Sequence, residues 1–373
     1  MRAISVLPKS RELRVQQIPE PRLEAPSDVR LRMIEVGVCG TDREICAFEY
    51  GTPPAGCDHL VLGHESLAQV ESVGPGVTEL RPGDWVVPMV RRPCPHAHCV
   101  ACRRGRQDFC FTGDFRERGI QGAHGFMTEL VVEDERYLVP VPAGLADVAV
   151  LVEPLTIAEK ALLQLWHVQE RLPWECPHRP GKDHGHCRRA LVLGAGPVGL
   201  LGALALRAAD FETIVYAREE RPSPKADWVE AIGAIYVSAR EQSPSELAAR
   251  HGAIDVVYEA AGASQVAFEA MQSLGANAVF VFTGVPGRKS PVPIDTDGLM
   301  RQLVLRNQIV FGTVNAGRDA FEAAVRDLGR FEARWPGALR ALISGRHPLE
   351  AHRELLLGRP AGIKHVLAIG APG

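Results

Sequence analysis

The segment ALVLGAGPVGLLGALALRAA, residues 190–209, constrains the fold more than any other stretch, because it sets an apolar strand, three glycines and an apolar helix in unbroken order. Gly194 permits the tight turn, Gly196 lets the backbone approach a pyrophosphate, and Gly199 allows close packing of helix on strand, with the phosphates at the helix N-terminus. Downstream, the apolar runs TIVYA, IDVVYE and AVFVFTG alternate with helical stretches. That rhythm predicts a parallel sheet with helices on both faces, an α/β doubly wound nucleotide-binding domain of the Rossmann type.

The end of the second strand of such a domain bears on which dinucleotide binds. An NAD site usually carries an acid about 20 residues after the glycines; here the chain reads Tyr216-Ala217-Arg218-Glu219. Ala217 removes the carboxylate that would repel a 2′-phosphate, and Arg218 can pair with that phosphate through its planar fork. NADP is therefore favoured, with NAD tolerated. Arg218 as a solvated loop residue is the plainer alternative, and Glu219 can still reach a ribose hydroxyl.

A chain of 373 residues exceeds one ordinary core, so a second domain is expected. Residues 1–150 supply it, as short alternating strands cut by Gly and Pro, including 29–36, 67–73 and 85–87. From Glu153 to Gln169 the pattern turns helical, with Leu155, Ala158, Leu162 and Leu165 at three-to-four spacing. The strand-like FGTVN and an ending in IKHVLAIG close the chain. The division expected is 1–157 with 309–373 for the β-rich domain, and 158–308 for the nucleotide domain.

In the β-rich half, Cys39 lies in GVCGTDREI and His64-Glu65 follows LVLG about 25 residues later. Thiolate, imidazole and carboxylate can together hold zinc while leaving a coordination position open. Cys94, Cys99, Cys102 and Cys110 are spaced C-x4-C-x2-C-x7-C in a Pro- and Arg-rich loop, which suits a closed structural zinc. His96 or His98, inside the first gap, can replace one thiolate. Cys176 and Cys187 bracket a polar insert, where two plain thiols are expected and a second metal site or a loop-closing disulfide are the alternatives.

Bulk properties exclude other classes. Apolar residues make up 46% and charged residues 23%, with a formal net charge of −3 and scattered basic residues. Neither a nucleic-acid face nor a membrane span is expected. The opening MRAISVLPKSRELRV has no long apolar stretch, so a cytoplasmic protein is expected, with small molecules and copies of itself as partners.

The motifs GVCGTDREI, VLGHESLAQVESVGPGV, RPGDWVVP, the four-cysteine loop and GAGPVG together resemble the zinc-dependent medium-chain dehydrogenases over nearly the whole chain. PMVRRPC, GRQDFCFTGDFRERGI, GFMTE, VEPLTIAEKAL and FGTVNAG narrow the resemblance to the glucose 1-dehydrogenase branch. The resemblance implies a GroES-like β-barrel catalytic domain closed by the C-terminal segment. It also implies a catalytic zinc on Cys39 and His64, with Glu65 and Glu153 as carboxylates that bind or leave the metal. Substrate contacts are implied for Thr41, Glu117, Glu153 and Asn315. Cofactor contacts are implied for Gly194, Ala195, Gly196, Pro197, Val198 and Gly199, for Ala217, Arg218 and Glu219, for Thr283, Gly284 and Val285, and for Thr313, Val314 and Asn315. Many alcohol dehydrogenases of the family carry a proton-relay histidine three residues after the threonine; Glu44 stands there, implying another path for the proton. The activity implied is oxidation of an aldose at C1 to the lactone by NADP or NAD, in a homodimer or homotetramer. A polyol or simple-alcohol dehydrogenase and a silent nucleotide-binding protein are the alternatives.

Overall fold

The computed structural model describes residues 1–178, 185–287 and 291–373, which form two compact units. One comprises Met1–Thr156, Asn315–Gly329 and Leu339–Gly373; the other comprises Ile157–Val314 and Arg330–Ala338.

In the second unit a six-stranded parallel sheet runs, edge to edge, Ile235–Ser238, Glu212–Ala217, Arg189–Leu193, Ile254–Glu259, Leu274–Phe282, Ile309–Gly312. The strand order reverses on either side of Arg189–Leu193, which creates the crevice where doubly wound sheets bind ligands. Helices cover both faces, so the central strands are apolar at nearly every position and Leu191, Val192, Ile214, Val257 and Phe280 are fully buried. Gly194 takes φ +103°, and a β-carbon on Gly199 would strike the carbonyl of Gly194. The helix Pro197–Ala208 opens on a proline, whose missing N–H costs nothing in a first turn.

The division drawn at Ile309 from the sequence differs from this arrangement. Ile309–Gly312 pairs in parallel with Leu274–Phe282 and completes the nucleotide sheet, and Arg330–Ala338 also groups with that unit. Only the sheet's need for an outer partner decides where such a short strand belongs, and nothing inside FGTVN carries that information.

The first unit is built mainly on antiparallel pairing, with Ile343–Pro348 parallel to Lys364–Ala368 at one edge. Its largest sheet orders Leu138–Val141, Trp85–Pro88, Glu65–Val73, Asp28–Gly37, Lys364–Ala368 and Ile343–Pro348, with Leu130–Asp134 also on Asp28–Gly37. Two register facts position the site: Gly37 faces Glu65, and Val366 of the C-terminal strand faces Gly37. The helix Val152–Gln169 buries Leu155, Ala158, Leu162 and Leu165, the stripe its spacing foretold, and seats Glu153 in its first turn. Among the described residues no helix is long and apolar enough to cross a membrane.

Candidate functional site

Because Gly37 faces Glu65 across the ladder, the chain leaving one strand at Cys39 and entering the other at His64 meets at the same sheet edge. The ligand atoms of Cys39, His64 and Glu65 all lie within 4.8 Å of one another. Zinc bonds of about 2.0–2.3 Å to nitrogen, oxygen and sulfur can bridge a trio that close. His64 and Glu65 are buried, and Cys39 is half-buried at the start of the helix Gly40–Cys46. The residues therefore fit the metal in number, chemistry and spacing. Glu153, 8% exposed, lies outside the trio but close enough for its charge to be felt there. Burial raises its carboxyl to about 7, against the pull of His64.

Two residues that sequence reasoning did not single out support this trio. Asp42, fully buried, accepts from the Cys39 amide at 2.9 Å and sets Oδ1 3.5 Å from His64 Nδ1. Burial pushes the Asp42 carboxyl up, but His64 and the Cys39 amide outweigh it, so its pKa falls below the ordinary value. With Nδ1 turned toward a carboxylate, Nε2 is the imidazole nitrogen left for a metal. The signal in the sequence was the Cys39-x-x-Asp42 spacing, that of an N-cap and its third helical residue.

Lys364 is the other. Its ammonium forms an ion pair with Glu65 Oε2, without hydrogen-bond alignment, and donates to the Val38 carbonyl at 3.2 Å. Both side chains are almost wholly buried, at 2% and 3% exposure. A β-carbon on Gly37 would strike Glu65 Oε2 and come within 3.0 Å of Lys364 Cε, so this pair requires glycine opposite it. The only trace of Lys364 in the sequence is a lone charge inside an apolar strand.

Further out, Glu117 and Asn315 do meet: Glu117 Oε1 accepts from Asn315 Nδ2 at 2.9 Å and from Arg91 Nε and Nη2 at 3.1 and 2.9 Å. Arg91, also unforeseen, stacks on Phe115 at 3.7 Å and completes a buried polar frame. Thr41 is half-buried in the first turn after Cys39, and Glu44 is exposed.

His124 braces the approach to His64, since its Nδ1 accepts the Val61 amide at 3.2 Å and its ring stacks on His59. Burial, with His59 and Arg118 adding to it, lowers His124 from 6.5 to about 4. Between these values the unfolded chain holds the proton and the folded one does not, so this contribution is complete above pH 6.5 and vanishes as pH falls to 4. The ceiling is roughly 3 kcal/mol, and partial exposure reduces it to about 1–2 kcal/mol. A His124→Asn variant, which keeps an acceptor but no titrating proton, is expected to lose less thermal stability between pH 7 and pH 5 than the parent. Parallel melting curves would assign the acid sensitivity elsewhere.

The sulfur atoms of Cys94, Cys99, Cys102 and Cys110 also lie within 4.8 Å of one another, the first three buried. Neither histidine of the loop joins them; His96 Nε2 instead pairs with Asp114 at 2.8 Å and its ring lies beside His98. Cys176 and Cys187 are joined in a disulfide and not left as the plain thiols expected, because the fold brings the two ends of the insert to a Cα separation of 5.6 Å.

In the nucleotide unit a cavity of about 420 Å³ is lined by Gly194, Ala195, Gly196, Ala217, Arg218 and Glu219, with Lys225 added. Arg218 is exposed, whereas Lys225 pairs with Glu219 at 2.5 Å. Pro197, Val198 and Gly199 open the helix beside this cavity. Thr283, Gly284, Val285, Thr313 and Val314 follow the C-terminal ends of two neighbouring strands, outside that lining. Glu259 holds the first of these turns, accepting from the amides of Ala261, Gly262 and Gly284.

Residues 25–143 match the family described as alcohol dehydrogenase GroES-like domain, and residues 146–369 match glucose dehydrogenase C-terminus. Over its full length the chain is 42% identical to the glucose 1-dehydrogenase of Methanocella arvoryzae, with 100% of both chains covered. It is 38% identical to that of Thermoproteus tenax, with 99% of each covered. The glucose dehydrogenase of Haloferax mediterranei, solved in complex with NADP, Zn and gluconolactone, aligns with a TM-score of 0.88 at 33% identity, covering 100% of both chains. A GroES-like domain joined to a Rossmann sheet, with full-length identity at this level, means that the chain belongs to the glucose 1-dehydrogenase family of zinc-dependent dehydrogenases.

Proposed function

We propose that the chain oxidises the C1 hydroxyl of an aldopyranose, D-glucose first, to the aldonolactone, with hydride transfer to NADP and with NAD tolerated. The observation that carries this reading is the close-set Cys39–His64–Glu65 trio in a chain alike, end to end, to a protein solved with NADP, Zn and gluconolactone. Cys39 and His64 hold the catalytic zinc, with Glu65 or Glu153 as the carboxylate; the four-cysteine loop holds a structural zinc. Bound there, zinc lowers the pKa of the C1 hydroxyl toward neutrality. Thr41, in the helical turn after Cys39, accepts the hydroxyl proton. Glu153, buried beside the trio, pairs with a ring hydroxyl when it is not on the metal. Glu117, fixed by Arg91, and Asn315, fixed by Glu117, bind the remaining hydroxyls. Such a polar frame discriminates strongly against alcohols that lack those hydroxyls.

Initial rates on glucose, galactose, sorbitol and ethanol test the substrate class. Glucose and galactose are expected to exceed the other two by at least about 100-fold in kcat/KM; a clear preference for sorbitol or ethanol overturns the sugar reading. For the cofactor, Arg218 supplies the charge that pairs with a 2′-phosphate, and Gly194, Ala195, Gly196, Pro197, Val198 and Gly199 cradle the pyrophosphate. Arg218→Ala is expected to lower kcat/KM for NADP by about 10- to 100-fold with little change for NAD. An equal loss with both cofactors would remove Arg218 from phosphate recognition.

The chain assembles as a homo-oligomer through the outer strand Ile309–Gly312 and the helix Thr296–Leu305. On the helix Met300, Val304 and Leu305 are 64–69% exposed, and on the outer strand Val310 is 37% exposed, an apolar surface beside an open sheet edge of the kind that pairs with a second copy.

A further inference from the structure

The insert between the helix ending at Gln169 and the strand Arg189–Leu193 carries a cluster that neither the zinc trio nor the nucleotide cavity uses. Cys176 and Cys187 are bonded, and their sulfur atoms and a ring nitrogen of His186 all lie within 4.8 Å of one another. His186 Nδ1 is 3.7 Å from Cys187 Sγ. Cys176 is 2% exposed, whereas Cys187 is exposed.

We propose that Cys176, His186 and Cys187 form a redox-gated site for a borderline-soft divalent cation of the zinc class. As the disulfide, the two sulfurs share a bond and hold no thiolate for a metal. A dithiol reductant opens the site in two exchanges. Its thiolate attacks the exposed Cys187 Sγ, the S–S bond breaks, and Cys176 leaves as thiolate; its second thiol then resolves the mixed disulfide and frees Cys187. Two electrons pass from the dithiol, which leaves as its own disulfide, to the protein. Two thiolates and an imidazole then bind the cation, releasing the remaining thiol protons, with water in the fourth position.

The thiols stay together once the bond is cut because their neighbours are tied independently. Arg188 Nη2 donates to the Glu175 carbonyl at 3.2 Å, so the residue before Cys176 is fastened to the residue after Cys187. The Arg188 guanidinium also lies over Trp174 at 5.2 Å, and Trp174 packs against Phe211. The Arg188 amide donates to the Gly185 carbonyl at 3.0 Å, and a β-carbon on Gly185 would strike the Ala209 carbonyl. This frame presents both sulfurs and His186 to one point without depending on the disulfide.

The test measures zinc per chain in the full-length protein, before and after reduction with a phosphine under anaerobic conditions, with excess zinc added and then removed by desalting. Reduction is expected to add one zinc per chain, and the added metal is expected to be absent from Cys176→Ser/Cys187→Ser. His186→Ala, a milder change that leaves both thiols, should weaken the added site by at least about 10-fold in zinc competition with a chelator. Alkylation followed by mass analysis verifies that the bond has opened. An unchanged zinc count in protein whose two thiols are free overturns the proposal, as does finding both thiols free, without added zinc, before any reductant is supplied.

Discussion

A Cys39→Ala variant is expected to lose glucose oxidation, with kcat/KM down by roughly 1,000-fold or more, while keeping one zinc per chain in its disulfide form. The thiolate contributes both negative charge and a soft donor, and what remains, His64 and a carboxylate, is a poor zinc site. Without the metal nothing in the pocket replaces the several kcal/mol of charge stabilisation a bound zinc gives an alkoxide, and each 1.4 kcal/mol is a factor of ten in rate. Cys39 is only half-buried and its backbone amide is held by Asp42 whatever the side chain, so the fold should survive. The zinc expected to remain is the one proposed for Cys94, Cys99, Cys102 and Cys110, whose sulfur atoms lie within 4.8 Å of one another. Metal analysis beside NADP binding separates the outcomes. One zinc lost with NADP affinity intact is the expected pair of results, and activity within tenfold of the parent would remove the metal from the reaction.

What could be read in advance follows the range over which each feature is encoded. The turn at Gly194 is local, since strand, glycines and helix are contiguous, and its geometry came out as expected. The metal trio draws on two segments, Cys39 and His64-Glu65, each of which carries its own motif, and the Gly37–Glu65 register supplies the meeting. Lys364 has no motif of its own. It reaches Val38 across 326 residues because Val366 pairs with Gly37, and no spacing within IKHVLAIG announces that pairing. The same holds for Arg91, which becomes a site residue only through Glu117, the carboxylate on which it and Asn315 converge. The disulfide was missed for a related reason: spacing brackets an insert but does not say whether its ends touch. Motifs thus mark the candidate ligating groups and, at Asp42, one of their supports, whereas Lys364 and Arg91 arrive through sheet register.

The same register makes the loss of Lys364 costly to the fold. Lys364→Met removes a buried cation from beside Glu65, leaving a carboxylate at 3% exposure with no ammonium next to it. Breaking one partner of a buried pair in this way costs about 3–5 kcal/mol, much of it the desolvation of the charge left behind. Glu65 then has two ways to recover, by taking up a proton or by turning to the metal, and the variants distinguish them. If protonation is the route, Lys364→Met is least destabilised at low pH, because the neutral acid needs no counter-ion, and adding Glu65→Gln restores most of the lost melting temperature at neutral pH. If the metal is the route, added zinc stabilises the single variant more than the double one, and kcat falls further than KM rises because the zinc has lost its open position. Equal stability of Lys364→Met and the parent in zinc-free buffer would mean that Glu65 is not held by this lysine, and that the C-terminal strand has no part in placing the carboxylate.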